Sequence, residues 1–244
     1  MKQLVLQFSE SRLQLFETGS NHPLLQRLPI DLNKPFAKDH ISSAIKELLS
    51  NYTINEIMWF GSDFTLFPMA LFDAQHIASY YQLNLGTAAN DRRLTYQLLE
   101  KEGIALIYSI PVWLYDYAKY ELQHPTVTHT VARLIKYNTA LIHTSQVTIC
   151  IEEEQFVMIA NQDGRMLNAS ANSYQQQTDI LYFLLAQQQK LQLVAPVSLH
   201  LFDATGNFDD QLFLNQLQQF KDFEHYQINF QPSTSYQNQI LCAL

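Results

Sequence analysis

Apolar and polar positions in the first thirty residues predict three short strands. Residues 4–8 form an apolar run, and residues 12–16 alternate polar and apolar side chains as a half-buried strand does. The polar residues 9–11 between them predict a turn, and a third extended segment ends at Pro29. The chain therefore begins with a strand, a turn and two further strands.

A helix and a fourth strand follow. The pattern predicts a helix over residues 39–51, because its apolar side chains recur at the spacing that places them on one helical face. Those side chains are Ile41, Ala44, Ile45, Leu48 and Leu49. Asp39 is a suitable N-cap residue. A strand over residues 57–60 completes a β-β-β-α-β unit.

The same order of elements returns in the second half of the chain. Strand, strand, strand, helix and strand are predicted at residues 147–151, 155–160, 165–169, 175–192 and 197–202. The acidic residues 152–154 form the first turn, and Asp163-Gly164 is suited to a hairpin turn before the third strand. Thr178 or a near neighbour is expected to cap the helix.

The two units align without a gap at an offset of 143 residues, so that Phe8 falls on Ile151. An internal duplication of this kind decides the fold class before any single motif does. It predicts an α/β protein of two lobes, residues 1–144 and residues 145–244.

Additional elements are predicted around the repeated units. Within the first lobe they are an extended segment at 64–68, a helix at 69–81, a hairpin of strands 92–99 and 104–110, and helices at 112–122 and 127–142. In the second lobe they are a helix at 209–220, a strand at 226–230, and a strand or helical turn at 240–244.

Composition and charge narrow the classes of partner. The chain has 244 residues, of which 47% are hydrophobic, so it can bury a substantial core. Its 15 basic and 23 acidic residues give a net charge of −8, which disfavours binding to duplex nucleic acid. The small basic clusters Arg92-Arg93 and Arg133 with Lys136 are interpreted as solvated surface.

Neither the cysteines nor the apolar segments indicate an extracellular or membrane protein. Cys150 and Cys242 lack metal-ligand spacing and are too few for a disulfide framework, so both are expected to be free thiols. The most apolar window, residues 104–114, is about half of the length that spans a bilayer. The sequence therefore predicts a cytoplasmic protein without a membrane span.

A duplicated β-β-β-α-β unit resembles the actin-like ATPase superfamily, in which each half has the ribonuclease-H-like topology. A closer resemblance is to the bacterial domain-of-unknown-function family 3822. It rests on Phe64-Thr65-Leu66-Phe67-Pro68, on Asp179 and Tyr182, and on Leu241-Cys242-Ala243-Leu244. The resemblance implies an actin-like fold, and the family transfers no known catalytic residue.

The two turns that would hold nucleotide phosphates lack the required residues. Actin-like ATPases carry an aspartate and a glycine there, because the aspartate positions Mg²⁺ and the glycine lets backbone N–H groups approach the phosphates. In this register the first turn has Gln7 and Ser9, and the second has Cys150 and Glu152. No catalytic, cofactor-binding or metal-binding residue is predicted, and nucleotide binding is not expected.

Other candidate sites are weaker still. Residues 203–207 offer one glycine for an adenine site but read more simply as a turn and helix cap. Strand 4–8 has no carboxylate for a nuclease of the ribonuclease H type. His129 and His143 would lie about 21 Å apart on a continuous helix and cannot share a metal ion with each other. His124 completes this group of histidines without metal-ligand spacing.

These observations favour a catalytically inactive scaffold or adaptor that binds another protein. Tyr115, Tyr117 and Tyr120 are a candidate aromatic contact surface. Two alternatives remain open: a divergent nucleotide-dependent enzyme that uses substitute groups such as Glu153 or Asp203, and a small-molecule sensor. Either would use the cleft between the predicted lobes.

Overall fold

The computed structural model describes residues 2–19, 24–31, 37–48, 51–122, 124–140 and 145–231. Contacts divide these residues into two compact units, of which the first extends to Arg133 and the second begins at Leu134. None of the described helices is long and apolar enough to cross a membrane. The predicted lobe boundary between residues 144 and 145 stays a prediction.

The first unit contains a mixed five-stranded sheet and a smaller inserted sheet. Its elements in chain order are β1 (Lys2–Phe8), β2 (Arg12–Glu17), β3 (Leu24–Pro29), α1 (Ala37–Leu48), β4 (Tyr52–Trp59), β5 (Phe64–Pro68), two 3₁₀ helices (Met69–Leu71 and Ala74–His76), α2 (Ile77–Leu85), β6 (Arg92–Leu99), β7 (Ile104–Pro111), α3 (Val112–Tyr120), β8 (Thr126–His129) and the start of α4 (Thr130–Ala140).

The large sheet of this unit has the strand order β3-β2-β1-β4-β8. Strand β1 is antiparallel to β2 and parallel to β4, and β4 is parallel to β8. The inserted sheet is antiparallel, with the order β5-β7-β6. Residues 105–111 of its central strand β7 are buried throughout, which explains why all of them but Ser109 are apolar.

The second unit contains the rest of α4 and a second mixed five-stranded sheet. Its further elements are β9 (Ser145–Ile151), β10 (Gln155–Gln162), β11 (Arg165–Ser173), α5 (Gln177–Leu191), β12 (Val197–Asp203), α6 (Asp210–Leu217), a 3₁₀ helix (Lys221–Phe223) and β13 (Tyr226–Gln231). The strand order β11-β10-β9-β12-β13 repeats that of the first unit. Helices α5 and α6 contribute Ile180, Leu184 and Phe213 to the core on one face of this sheet.

The register of the strands confirms the duplication. Leu6 pairs with Leu15 in the first sheet, and Ile149 pairs with Met158 in the second, at the offset predicted from the sequence. The strand that follows each helix is tied to the first strand in the same way, because Phe60 N–H donates to the Phe8 carbonyl (2.7 Å) and Ala204 N–H donates to that of Ile151 (2.9 Å). The predicted α/β fold class is therefore confirmed.

One strand was missing from the prediction. The sequence pattern predicted a helix over residues 127–142, whereas Thr126–His129 form strand β8 and the helix α4 begins at Thr130. Three of the four residues of β8 are β-branched, and the strand pairs in parallel with β4, which lies some seventy residues earlier. The predicted helix over 69–81 is also shorter, since the α-helical part starts at Ile77.

The cap predicted for the first helix was wrong, and the cap of α5 is a near neighbour of Thr178, as predicted. Asp39 lies in the first turn of α1, which already begins at Ala37. Gln176 rather than Thr178 is the N-cap of α5, and the Asp179 carboxylate accepts from the N–H groups of Gln175 (2.8 Å) and Gln176 (3.0 Å). These bonds form a capping box, because the third helical residue reaches back to the cap. The C-terminal prediction at 240–244 lies outside the described residues.

Candidate functional site

The first candidate turn joins β1 to β2 and is closed by the main chain. Ser9 N–H donates to the Arg12 carbonyl at 2.9 Å. Gln7 and Ser9, the residues that the sequence placed here, are both buried. Beside this turn, Glu10 forms a 2.7 Å ion pair with Arg92, whose guanidinium lies 5.5 Å from the Trp59 ring centre. The first turn thus contains no carboxylate positioned as in a phosphate-binding loop.

The second candidate turn joins β9 to β10 and has the same backbone. Glu152 N–H donates to the Gln155 carbonyl at 2.8 Å, which repeats the bond of Ser9. Glu152 is buried, whereas Glu153 and Glu154 are exposed. Cys150 is a buried free cysteine, as expected, and Cys242 lies outside the described residues.

Asp203 ends the neighbouring strand β12 and organises the turn that follows it. Its Oδ1 accepts from Thr205 N–H (2.7 Å) and from the Thr205 hydroxyl (2.6 Å), and its Oδ2 accepts from Phe208 N–H (3.2 Å). The Thr205 hydroxyl in turn accepts from Asn207 N–H at 2.9 Å. Both carboxylate oxygens therefore hold the backbone of residues 203–208, which supports the interpretation of this segment as a turn.

The carboxyl ends of β9 and β12 carry a concentration of negative charge. Ile151 of β9 is the register partner of Asp203, so Glu152 follows directly beside it. Tyr174 donates from its hydroxyl to the Glu152 carbonyl at 2.8 Å. Burial raises the pKa of Tyr174 to about 12, with further contributions from the charges of Asp203 and of Glu152, Glu153 and Glu154. A phosphate group brought to this end of the sheet would be repelled.

The described residues contain no metal centre of the usual kind. No group of three or more His, Cys, Asp or Glu side chains among them is arranged to hold an ion. His124 is exposed and His129 is buried, and His143 lies outside the described residues. Of the acidic groups at the ends of β9 and β12, Asp203 bonds to its own turn, Glu153 and Glu154 are exposed, and Glu152 is buried.

ATP, ADP and GTP are expected to leave the melting temperature of the protein unchanged, with or without Mg²⁺. The reason is the acidic end of β9 and β12, together with the absence of a phosphate-loop aspartate and glycine from both turns. The measurement is a thermal-shift titration to millimolar nucleotide. A rise of about 5–10 °C, as expected for a ligand at a hundred times its dissociation constant, would contradict this.

His129 caps helix α4 with its imidazole. It directly precedes the helix, and its Nδ1 accepts from Val131 N–H at 3.2 Å, so the proton of the neutral ring lies on Nε2. The ring packs against Tyr108 (4.7 Å between centroids) and Phe64 (5.6 Å). Burial lowers the pKa of His129 to about 3, and the backbone of Gly61 acts in the opposite direction.

The stability of the protein is expected to fall between pH 7 and pH 5 because of His129. The unfolded state takes up this proton near pH 6.5 and the folded state only near pH 3, so protonation favours unfolding in this window. The free energy of unfolding of the wild type should fall by about 2 kcal/mol more than that of His129→Asn, because asparagine can keep the helix cap without taking up a proton. Urea unfolding at both pH values measures the difference.

His124→Asn is the control for the removal of a histidine, since this side chain is exposed. Its free energy of unfolding should fall by the same amount as that of the wild type between pH 7 and pH 5. Parallel profiles for wild type and His129→Asn would show that His129 is not the group responsible.

Each basic cluster is solvated only in part: Arg93 and Lys136 are exposed, as predicted, whereas Arg92 and Arg133 are largely shielded by their partners. Arg133 forms a 2.5 Å ion pair with the buried Glu56, which also accepts a hydrogen bond from the Thr128 hydroxyl. Arg92 is likewise largely buried against its partner, and the Arg93 guanidinium lies 4.1 Å from the ring centre of Tyr115. Arginine can be buried in this way because its planar group forms directed bonds to carboxylates and stacks on rings.

The predicted tyrosine surface is only partly present. Tyr117 is buried and Tyr115 half-buried under Arg93, so that Tyr120 alone of the three is exposed.

A larger apolar surface lies over the inserted sheet. We term it the aromatic–leucine surface, and its members are Leu71, Phe72, Tyr80, Tyr96 and Leu98. Phe72 links the two tyrosines, with ring centroids 4.9 Å from Tyr96 and 6.0 Å from Tyr80, and the Tyr80 hydroxyl donates to the Leu71 carbonyl. The alternation of apolar residues in β6 was the sequence signal for it.

A family model described as "Protein of unknown function (DUF3822)" matches residues 1–222. The chain belongs to the DUF3822 family. The predicted family is thereby confirmed. Of its motif residues, Phe64–Pro68 form β5 and Asp179 and Tyr182 lie in α5, whereas residues 241–244 lie outside the described part of the chain.

Solved structures confirm the actin-like ATPase fold of this DUF3822 chain. A Bacteroides thetaiotaomicron VPI-5482 protein with that fold and unknown function is 18% identical, with a TM-score of 0.78 over 99% of this chain and 95% of its own. A chain of the PilM–PilN type IV pilus biogenesis complex is 12% identical, with a TM-score of 0.53 over 99% of this chain and 98% of its own. Ethanolamine utilization protein EutJ from Carboxydothermus hydrogenoformans is 8% identical, with a TM-score of 0.51 over 99% of this chain and 88% of its own. The curated proteins contain no match.

Proposed function

We propose that this DUF3822 chain is a catalytically inactive scaffold or adaptor that binds another protein. The observation that carries the proposal is the aromatic–leucine surface. Tyr96 and Leu98 are 40% and 42% exposed on neighbouring positions of one strand face, Phe72 contacts Tyr96, and Leu71, which precedes Phe72, is exposed. Contiguous apolar surface of this kind is a mark of protein–protein contact, where aromatic residues are enriched.

The two turns of the repeated units support the same proposal. Both keep the backbone hydrogen bonds that close them, and neither contains the aspartate and glycine with which actin-like ATPases hold a nucleotide. The carboxylates of the second turn add a charge unfavourable to phosphate. A fold that retains its frame without these groups is suited to binding rather than to nucleotide hydrolysis.

The structural relatives add an analogy at the level of the fold. PilM, which has the same fold, occurs in a complex with another protein, PilN. The analogy supports use of this fold as a binding partner and says nothing about which protein is bound. Nucleic acid is not expected as a partner, given the net charge of −8.

The experiment compares partner capture by three forms of the full chain. Wild type is compared with Tyr96→Glu/Leu98→Glu and with the control Leu212→Glu/Phe220→Glu. The control places the same two charges at residues that are 46% and 43% exposed in the second unit. We expect one protein to be retained by wild type and by the control and to be lost from the Tyr96/Leu98 variant.

Quantitative mass spectrometry of the captured proteins measures this, after melting temperatures show that all three forms are folded. If the three forms capture the same proteins in the same amounts, the aromatic–leucine surface is not the binding surface and the proposal fails.

A further inference from the structure

We propose that strand β6 receives an extended, basic segment of the partner protein, which adds to the edge of the inserted sheet as a further strand. This inference rests on the proposed scaffold function and goes further, because it names the binding mode and the chemistry of the bound segment.

Strand β6 is an edge strand of the inserted sheet. Within the described residues it pairs only with β7, and its pairing shows no register shift along eight residues. Edge strands of soluble proteins are usually protected by proline, charge or a bulge. Strand β6 begins with Arg92 and Arg93, but the six residues that follow, 94–99, include neither proline nor a charged residue. Their outer backbone groups can therefore pair with an added strand.

The side chains of β6 show on which face of the inserted sheet the side chains of an added strand would find room. Tyr96 and Leu98 lie on one face, since side chains alternate along a strand, and this is the face of the aromatic–leucine surface. The opposite face is occupied, because Gln97 accepts from His129 N–H and Thr95 is opposite the buried Tyr108. The added segment would then need apolar residues at every second position.

The charges around this surface favour a basic segment. The turn after β6 holds Glu100 and Glu102 with Lys101, and Asp73 follows Phe72 directly. The two segments are tied together by the bond from Met69 N–H to the Gly103 carbonyl at 2.9 Å. These three carboxylates are accompanied by Lys101 and by the exposed Arg93 at the start of β6, and Asp73 is paired with His76. The negative charge that remains, on a chain of net charge −8, complements lysine or arginine residues beside the apolar positions. The same net charge opposes pairing with a second copy.

The test uses a displayed library of random 12-residue peptides. The library is selected on the full wild-type chain after depletion on Tyr96→Glu/Leu98→Glu. We expect enriched peptides to alternate apolar residues with lysine or arginine. A synthetic copy should bind wild type and Leu212→Glu/Phe220→Glu equally, and the Tyr96/Leu98 variant at least about tenfold more weakly.

Backbone methylation of the enriched peptide tests strand addition itself. Two versions are made, each N-methylated at alternate residues, so that only one of them loses the N–H groups that face β6. We expect one version to bind at least about tenfold more weakly and the other to bind almost normally. Amide hydrogen exchange of residues 93–98 should slow when the unmodified peptide is bound.

Several results would overturn the inference. They are enrichment of acidic peptides, no enrichment over the depleted variant, equal loss of binding in both methylated versions, protection of α2 instead of β6, or sedimentation of the wild type as a dimer that protects β6. If partner capture still depends on Tyr96 and Leu98, such a result removes the strand-addition mode and leaves the scaffold function standing.

Discussion

Replacing Arg133 by Met lowers the free energy of unfolding by about 3–5 kcal/mol, because it leaves the Glu56 carboxylate buried without its cation. Only 5% of the Glu56 side chain is exposed, and its Oε2 lies 2.5 Å from the Arg133 guanidinium. The Thr128 hydroxyl would still donate to the Glu56 carboxylate, but a neutral hydroxyl does not compensate the charge. The expected fall in melting temperature is roughly 6–15 °C.

A double-mutant cycle separates the charge from the packing. Glu56→Gln/Arg133→Met removes both charges and should recover a substantial part of the loss, measured by urea unfolding. Lys38→Met is the matched control, because Lys38 and Glu121 form a 2.8 Å ion pair in which both side chains are about half exposed. It should change stability by less than about 1 kcal/mol. An equally small effect of Arg133→Met would contradict the prediction.

Gly61→Ala is expected to cost about 1–3 kcal/mol through a steric clash. A Cβ atom at this position would lie 2.4 Å from Nε1 of the Trp59 indole, which is itself buried and has little room to move. Gly61 does not have a positive φ, so the backbone would accept alanine, and the clash is the whole reason for the cost.

The cause can be tested by giving the methyl group room. In a Trp59→Phe background the indole nitrogen is gone, and the further substitution Gly61→Ala should cost much less than in wild type. Gly164→Ala is the contrasting control, since its Cβ would meet nothing within 4 Å and its φ of +72° supplies the strain instead. Its cost should not change in the Trp59→Phe background. If Gly61→Ala lowers the free energy of unfolding equally in both backgrounds, the clash with Trp59 is not the cause.

The duplicated frame could be predicted because its evidence is local. A few adjacent residues are enough to indicate each of these local features: the turns at residues 9–11 and 152–154 and the helix α5. Their shared offset then related the two units. The turn at Asp203 was also accessible, since a short acidic side chain after a buried strand commonly bonds to the backbone two residues further on.

The features that were missed depend on contacts between distant parts of the chain. Strand β8 has only four residues, and its pairing with β4 joins Glu56 to Thr126 across most of the first unit. The same pairing brings the residues around Glu56 and Arg133 together, so a basic residue that looked like surface became half of a buried ion pair. Local propensity does not contain this information, because long-range pairing decides it.

The main-chain closure of the two turns has a consequence for how this family can vary. Ser9 to Arg12 and Glu152 to Gln155 are each joined by a backbone hydrogen bond, and Ile30 to Ser11 and Tyr174 to Glu154 repeat the same arrangement one strand further out. A backbone hydrogen bond does not depend on which side chain the residue carries. The charges at both turns can therefore differ between relatives without loss of the fold. The residues found there will depend on what each relative binds or avoids, rather than on what it needs to stay folded.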